Sequence, residues 1–251
     1  MTIGKCCAIF ILLHKNATVY KRQIMNKLIV KQILMDVDGT MTCSCSENSM
    51  EKSPFRHLAE LVADKKHISS DAAEDMIRRC GDIENRCLSE FLPELKIDAE
   101  EYFNILKEDL ARHITIPDDT VFFLKTMLER GIPVCSATTN SRFMTLAKLA
   151  VAGLADFRGT PYLVKFHSGN EFNDPRGKFS ENYFPNILKH HRYAPETLMM
   201  VGDEPKRDLF PALEAGVRYG VIIDRKQSEE LEIHSGGIFV RSLVHLAEMI
   251  N

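Results

Sequence analysis

Short apolar runs alternate with helical patterns along most of this chain, and few folds accommodate that rhythm. Ile33-Leu34-Met35, Ile132 to Ala137, Tyr162 to Phe166, Leu198 to Val201, Tyr219 to Ile223 and Ile238-Phe239-Val240 each read as a buried strand. Between them lie amphipathic segments. One opens at Pro117-Asp118, runs through Val121, Leu124 and Leu128, and closes at Gly131; another follows Ser141 to about Ala155. Two more carry Tyr183, Phe184, Ile187 and Leu188, and Leu209 to Leu213. Strands alternating with helices predict a parallel sheet with right-handed crossovers, an α/β Rossmann-like core with helices on both faces.

One stretch breaks the rhythm. From about residue 50 to 112 no strand pattern appears, whereas helical spacing does: Phe55, Leu58, Ala59, Leu61 and Val62, then Ala73, Met76, Ile77 and Cys80, then Tyr102, Phe103, Leu106 and Leu110. Asp71 with Glu74, and Asp98 with Glu101, resemble capping-box starts. The expected division is an extension over 1–25, an α/β core over 26–42 and 116–251, and a helical module over 43–115.

The chain has 251 residues, 45% hydrophobic and 27% charged, with net charge -3. That balance is ordinary for a soluble protein and gives no electrostatic case for nucleic acid. The seven cysteines are odd in number, and Cys43-Ser44-Cys45 has no second Cys/His pair at zinc spacing, so reduced thiols in a cytoplasm are expected. The apolar run Cys6 to Leu13 is too short to span a bilayer and lacks a cleavage site, so no membrane association is expected. The first strand begins only after Met25, which reads as an alternative start and makes residues 1–24 dispensable.

Chemistry-bearing residues fall where the strands end. Asp36-Val37-Asp38-Gly39-Thr40 follows the first strand, Thr138-Thr139 the second, Lys178 precedes a helix, and Asp203 and Asp208 follow Gly202. In a parallel sheet such ends share one rim, where ligands bind. Two acids as close as Asp36 and Asp38 need a cation, a shared proton or open water. A carboxylate nucleophile, a lysine, a hydroxyl beside backbone N–H groups and further carboxylates suit phosphoryl transfer, and an all-oxygen donor set favours Mg2+ over zinc. An EF-hand reading fails because Met41 stands where its glycine belongs. His190 and His191 read as helix-end residues, and Arg56, Arg78, Arg79 and Arg86 as a solvated face.

These motifs resemble those of the haloacid dehalogenase-like superfamily of hydrolases. Asp36 to Thr40 is similar to its first motif, Thr138 to its second, Lys178 to its third, and Gly202-Asp203 through Asp208 to its fourth, over residues 28–251. The helical segment resembles a C1-type cap. The resemblance implies that Asp36 attacks phosphorus, that Asp38 is acid and base, and that Lys178 offsets charge. It further implies that Thr138 and the neighbouring Thr139 N–H bind phosphate oxygens. Mg2+ would be held by Asp36, the carbonyl of Asp38 and Asp203, with Asp208 behind them. Phe179 stands where the family often has proline, and Lys165 is a rival for Lys178. The expected activity is hydrolysis of a small phosphorylated metabolite by a monomer or homodimer. Alternatives are a phosphomutase resembling β-phosphoglucomutase, and a non-catalytic phosphoacceptor or binding module. Dehalogenation is disfavoured by the presence of Asp38.

Overall fold

The structure, a computed structural model, describes residues 27–45, 49–83, 86–169, 171–172, 174 and 176–251. The extension expected over 1–25 lies outside the described residues.

Among the described residues seven strands form the main sheet: β1 (Gln32–Met35), β4 (Val134–Ala137), β5 (Lys165–His167), β6 (Leu198–Gly202), β7 (Tyr219–Ile223), β8 (Leu231–His234) and β9 (Gly237–Val240). Their order is β5-β4-β1-β6-β7-β9-β8, all pairings being parallel except β8 with β9. The sheet is thus mostly parallel, as expected, with β8 added as an antiparallel strand at its edge. The chain leaves β1 for β4 and β5 on one side and returns to β6 on the other. That reversal opens a crevice at the C-terminal end of β1.

Alternation along the strands sorts side chains to two faces. Ile33, Met35, Met199 and Val201 pack with Phe123, Leu124 and Met127 of helix α5 (Asp118–Glu129) and Leu243 and Leu246 of α9 (Leu243–Met249). Leu34, Leu198 and Met200 face Tyr183, Phe184 and Ile187 of α7 (Tyr183–His191), with Ala212 of α8 (Phe210–Glu214) beside them. Strand boundaries move slightly from expectation. β4 begins after Pro133, which has no N–H to offer a ladder. β5 starts three residues later than read.

The helical segment contains α1 (Pro54–Lys66), α2 (Ser70–Arg79), α3 (Leu92–Leu95) and α4 (Ala99–His113). Ser53 accepts from Arg56 N–H and Asp98 from Glu101 N–H, capping α1 and α4. Helix α2 is capped by Ser69 rather than opened at Asp71. A short antiparallel pair, β2 (Cys43–Ser44) with β3 (Ile114–Thr115), closes the segment at its base. Leu58, Val62, Ile77, Phe103 and Leu106 share one apolar cluster with Leu146, Ala147 and Ala150 of α6 (Arg142–Ala150). Helix α6 ends at Ala150, earlier than read, in a run of turns. No helix among the described residues is long and apolar enough to cross a membrane, and Cys43, Cys45, Cys80, Cys87 and Cys135 form no disulfide.

Candidate active site

Four of the expected residues meet at the crevice. Asp36 directly follows β1, and Lys178 sits in a 3-10 turn (Gly177–Phe179). The buried Lys178 Nζ lies 2.8 Å from Asp36 Oδ1 and 2.5 Å from Asp208 Oδ1. Asp208 Oδ2 accepts from the N–H groups of Asp203 (3.1 Å) and Glu204 (3.0 Å), so the loop after β6 is folded around this carboxylate. Its Oδ1 meets Lys178 as an ion pair rather than as a well-angled hydrogen bond. Asp203 reaches back to Thr40, whose Oγ1 donates to Asp203 Oδ1 at 3.3 Å. One oxygen each from Asp36, Asp203 and Asp208 lies within 4.8 Å of the others.

Two glycines permit this convergence. Gly39 has φ +76°, and a Cβ there would lie 2.0 Å from Asp203 Oδ2. Gly177 has φ +52°, and a Cβ would press to 2.9 Å from the Cα of Gly169, so only glycine lets the Lys178 turn close against that loop.

The electrostatics follow from burial and neighbours. Burial pushes Asp36 up to about 6 against the pull of Lys178, with Asp208 adding to the rise. Burial and Asp208 likewise raise Asp203. Burial alone would lower Lys178, but Asp36 and Asp208 hold it above the ordinary lysine value. Three crowded carboxylates, two of them pushed towards protonation, and a buried Asp208 oxygen without a well-angled donor fit a hard divalent cation with oxygen ligands.

Asp38 stands apart from that trio. Lys148 Nζ lies 2.6 and 2.8 Å from its two oxygens, and Asn140 Nδ2 donates to Oδ2 at 2.7 Å. Burial would raise Asp38, yet Lys148 and Asn140 bring it below the usual aspartate value. Asn140 Nδ2 also donates to Thr138 Oγ1 at 2.9 Å, and Asn140 N–H to the same oxygen at 3.3 Å. With its oxygen accepting twice, the Thr138 hydroxyl keeps its own proton to donate. Thr139 is exposed in the same turn. Lys165 is exposed and pairs with His191, outside the trio. A cavity of about 570 Å³ lined by Gly39, Cys43, Ser44, Asp203 and Arg225 borders Asp203.

No family model matches the sequence, and no curated protein matches it. Solved structures do. A HAD phosphatase from Thermococcus onnurineus superposes with a TM-score of 0.51 at 19% identity, covering 87% of this chain and 97% of that one. The putative HAD-hydrolase YfnB from Bacillus subtilis, bound to magnesium, gives 0.50 at 15% identity, with coverages of 88% and 99%. CbbY from Rhodobacter sphaeroides, in complex with xylulose-(1,5)bisphosphate, gives 0.50 at 16% identity, with 88% and 100%. The chain has the haloacid dehalogenase-like hydrolase fold.

On this HAD-like scaffold three residues escaped the sequence reading. Lys148 is buried in α6 among Leu146, Ala147, Leu149 and Ala150. A lysine inside so apolar a run needs a partner, which was the available signal. Asn140 bridges Asp38 and Thr138, and the next residue, Ser141, caps α6 by accepting from Met144 N–H. Arg225, two residues past β7, donates to the carbonyls of Gly39 (3.2 Å) and Thr40 (3.0 Å) and pairs with Asp119 at 3.0 Å. It ties the first motif to the end of another strand, and its place just past Ile223 was the signal. The arginines expected on a solvated face are indeed at the surface, with Arg56 and Arg78 reaching Glu74 and Arg86 reaching Glu90.

Proposed function

We propose that this protein is a Mg2+-dependent phosphatase acting on a small phosphorylated metabolite through an aspartyl phosphate on Asp36. The observation that carries the reading is the split of the two acids of the first motif. Asp36 is paired with Lys178 beside Asp203 and Asp208, whereas Asp38 is held separately by Lys148 and Asn140. One carboxylate is thereby positioned for attack and the other for proton transfer.

Lys178 engages Asp36 Oδ1, which leaves Oδ2 to attack phosphorus. The bond to the leaving oxygen breaks as Asp38 delivers a proton to it. Asp38 starts ionised, and a phosphate monoanion, whose second pKa is about 6, brings that proton into the site. Asp38 then removes a proton from water, the hydroxide oxygen attacks the phosphoenzyme, and Asp36 is released with inorganic phosphate. The Thr138 hydroxyl and the N–H groups of its turn, including that of Thr139, hold phosphate oxygens. Asp36, Asp203 and the Asp38 carbonyl would hold Mg2+, with Asp208 behind them. The ion supplies charge neutralisation for carboxylates and phosphate together.

Residues 43–115 are assigned as a helical cap, jointed to the core at the β2–β3 pair. The neighbours described as a phosphatase, as magnesium-bound and as a bisphosphate complex support this class of substrate and cofactor. The test is phosphate release from an aryl phosphate by wild type and Asp36→Asn, each with Mg2+ and with EDTA. Turnover only by wild type with Mg2+ is expected. Turnover by Asp36→Asn would sink the nucleophile assignment, and turnover in EDTA the cofactor.

A further inference from the structure

A second polar cluster lies outside the crevice, behind the end of β5. Buried His167 directs Nδ1 to Glu171 Oε2 at 2.8 Å, and His191 at the end of α7 directs Nε2 to Glu171 Oε1 at 2.7 Å. Two imidazole nitrogens thus converge on one carboxylate, and the ligand atoms lie within 4.8 Å of one another. We propose that His167, Glu171 and His191 form a second metal site for a borderline divalent cation of the Zn2+ type, distinct from the carboxylate trio.

The donor chemistry separates the two sites. Two imidazoles and one carboxylate suit zinc, whereas three carboxylates suit a hard cation. Tetrahedral zinc with bonds of about 2.0–2.2 Å spaces its ligands by about 3.3 Å, so the two imidazole–carboxylate contacts, at 2.8 and 2.7 Å, need only open by about half an ångström to admit the ion. Outer support is in place on one side: Tyr193 OH lies 3.0 Å from His167 Nε2 and orients the ring. A cavity of about 460 Å³ lined by Glu171, Phe172, Asn186, His190 and His191 gives access and room for a water at the fourth position. Spacing rules for Cys/His motifs pass over this set because its members stand 4 and 20 residues apart.

Without metal the cluster is held by protons. If each imidazole donates one N–H to Glu171, His191 Nδ1 accepts from Lys165 Nζ at 2.8 Å. Zinc replaces those two protons. His191 must then carry its proton on Nδ1, and Lys165 must let go. Lys165 is exposed and free to turn into solvent. Lys165 therefore opposes the metal by its hydrogen bond and by its charge, and its removal should not weaken binding. The ion would also brace the site edge, because the His167 carbonyl accepts from Thr138 N–H at 3.1 Å and from Tyr183 OH at 2.7 Å.

A rival cluster, Glu51, Asp109 and His113, is a weaker donor set. Asp109 is already committed to the N–H groups of Glu51 and Lys52 and to His57.

The test is titration of chelator-stripped full-length protein with Zn2+, in excess Mg2+, followed by calorimetry, with Co2+ as the spectroscopic probe. One equivalent is expected in wild type, in Asp36→Asn/Asp203→Asn and in His113→Ala. Affinity should fall at least 100-fold in Glu171→Gln and His191→Ala, with Co2+ losing its tetrahedral visible bands. Lys165→Met should bind as tightly as wild type or more tightly. Glu171→Gln is isosteric, so it keeps the test valid if His191→Ala folds poorly. Loss of the equivalent in Asp36→Asn/Asp203→Asn or in His113→Ala overturns the assignment. So does its persistence in Glu171→Gln, weaker binding in Lys165→Met, or no equivalent in wild type. None of these readouts depends on phosphatase activity, so the two proposals stand or fall separately.

Discussion

Replacing Lys178 by methionine tests the electrostatics of the crevice without relying on turnover. The side chains are similar in volume, so packing changes little. What disappears is the cation between Asp36 and Asp208. Lys178 is 5% exposed, Asp208 1% and the Asp36 side chain 13%, so Asp208 cannot recover its hydration in place and Asp36 recovers only part of it. Removing one partner of a buried pair costs about 3–5 kcal/mol, a large part of a total stability of about 5–15 kcal/mol.

The loss must depend on pH, with a definite sign. Asp36 in the folded protein titrates near 6, above the ordinary 3.8. Between those values the folded state binds more protons than the unfolded one, so stability falls as pH rises through the window. For wild type the gap of about 2 pH units corresponds to about 3 kcal/mol at most. Lys178 opposes that rise, so Asp36 climbs further without it. The deficit of Lys178→Met relative to wild type should therefore be small near pH 4 and reach its full size near pH 8. Mg2+ should recover part of it, because a cation beside Asp36 and Asp208 does more for the variant, which has lost the lysine charge, than for wild type; each tenfold tighter binding recovers about 1.4 kcal/mol. Urea denaturation at pH 4, 6 and 8, in EDTA and in Mg2+, reads both effects. A deficit constant from pH 4 to 8 and indifferent to Mg2+ would refute the electrostatic account and point to packing.

Lys148→Met should lower kcat about 10–100-fold on an aryl phosphate while melting close to wild type. Hydrogen bonds to a charged group contribute about 1.5–3 kcal/mol, and the half-exposed Asp38 can be rehydrated; an unchanged kcat would show that the pair does not position Asp38. Gly39→Ala should weaken Mg2+ binding at least tenfold by calorimetry, because its Cβ occupies the place of the Asp203 carboxylate; wild-type affinity would mean that Asp203 is not a ligand. Arg225→Ala frees the Gly39 and Thr40 carbonyls from their clamp and should reduce kcat about tenfold with little change in KM, as steady-state kinetics would reveal.

Legibility in the sequence followed burial. Strands β6, β7 and β9 are buried along their whole length and appear as unbroken apolar runs. Strand β8 is half-buried at the edge, with Glu232 and His234 among its four residues, so no such run marks it. Its one signal was the turn: Ser235 at φ +52° and Gly236 at φ +77° join β8 to β9 as a tight hairpin. The site divides in the same way. Asp36, Thr138 and Asp203 were legible because a strand end announces its position on the rim. Lys148, Asn140 and Arg225 reach the site from a helix, a turn and a distant loop, and only the packing of those elements determines what they touch.

Helix α6 explains why an inserted helical segment can matter to chemistry at β1. Leu146, Ala147 and Ala150 pack into the same apolar cluster as Leu58, Val62 and Phe103, which stand on helices of the insertion. One residue along the same turn, Lys148 holds both oxygens of Asp38. Cores are packed too closely to absorb a shift silently. A displacement of the insertion that moves α6 must move the Lys148 ammonium as well, and with it the acid that the proposed chemistry needs. A cavity-forming change such as Phe103→Ala, remote from phosphate, should therefore lower kcat through Asp38. In a Lys148→Met background the same change should cost stability alone.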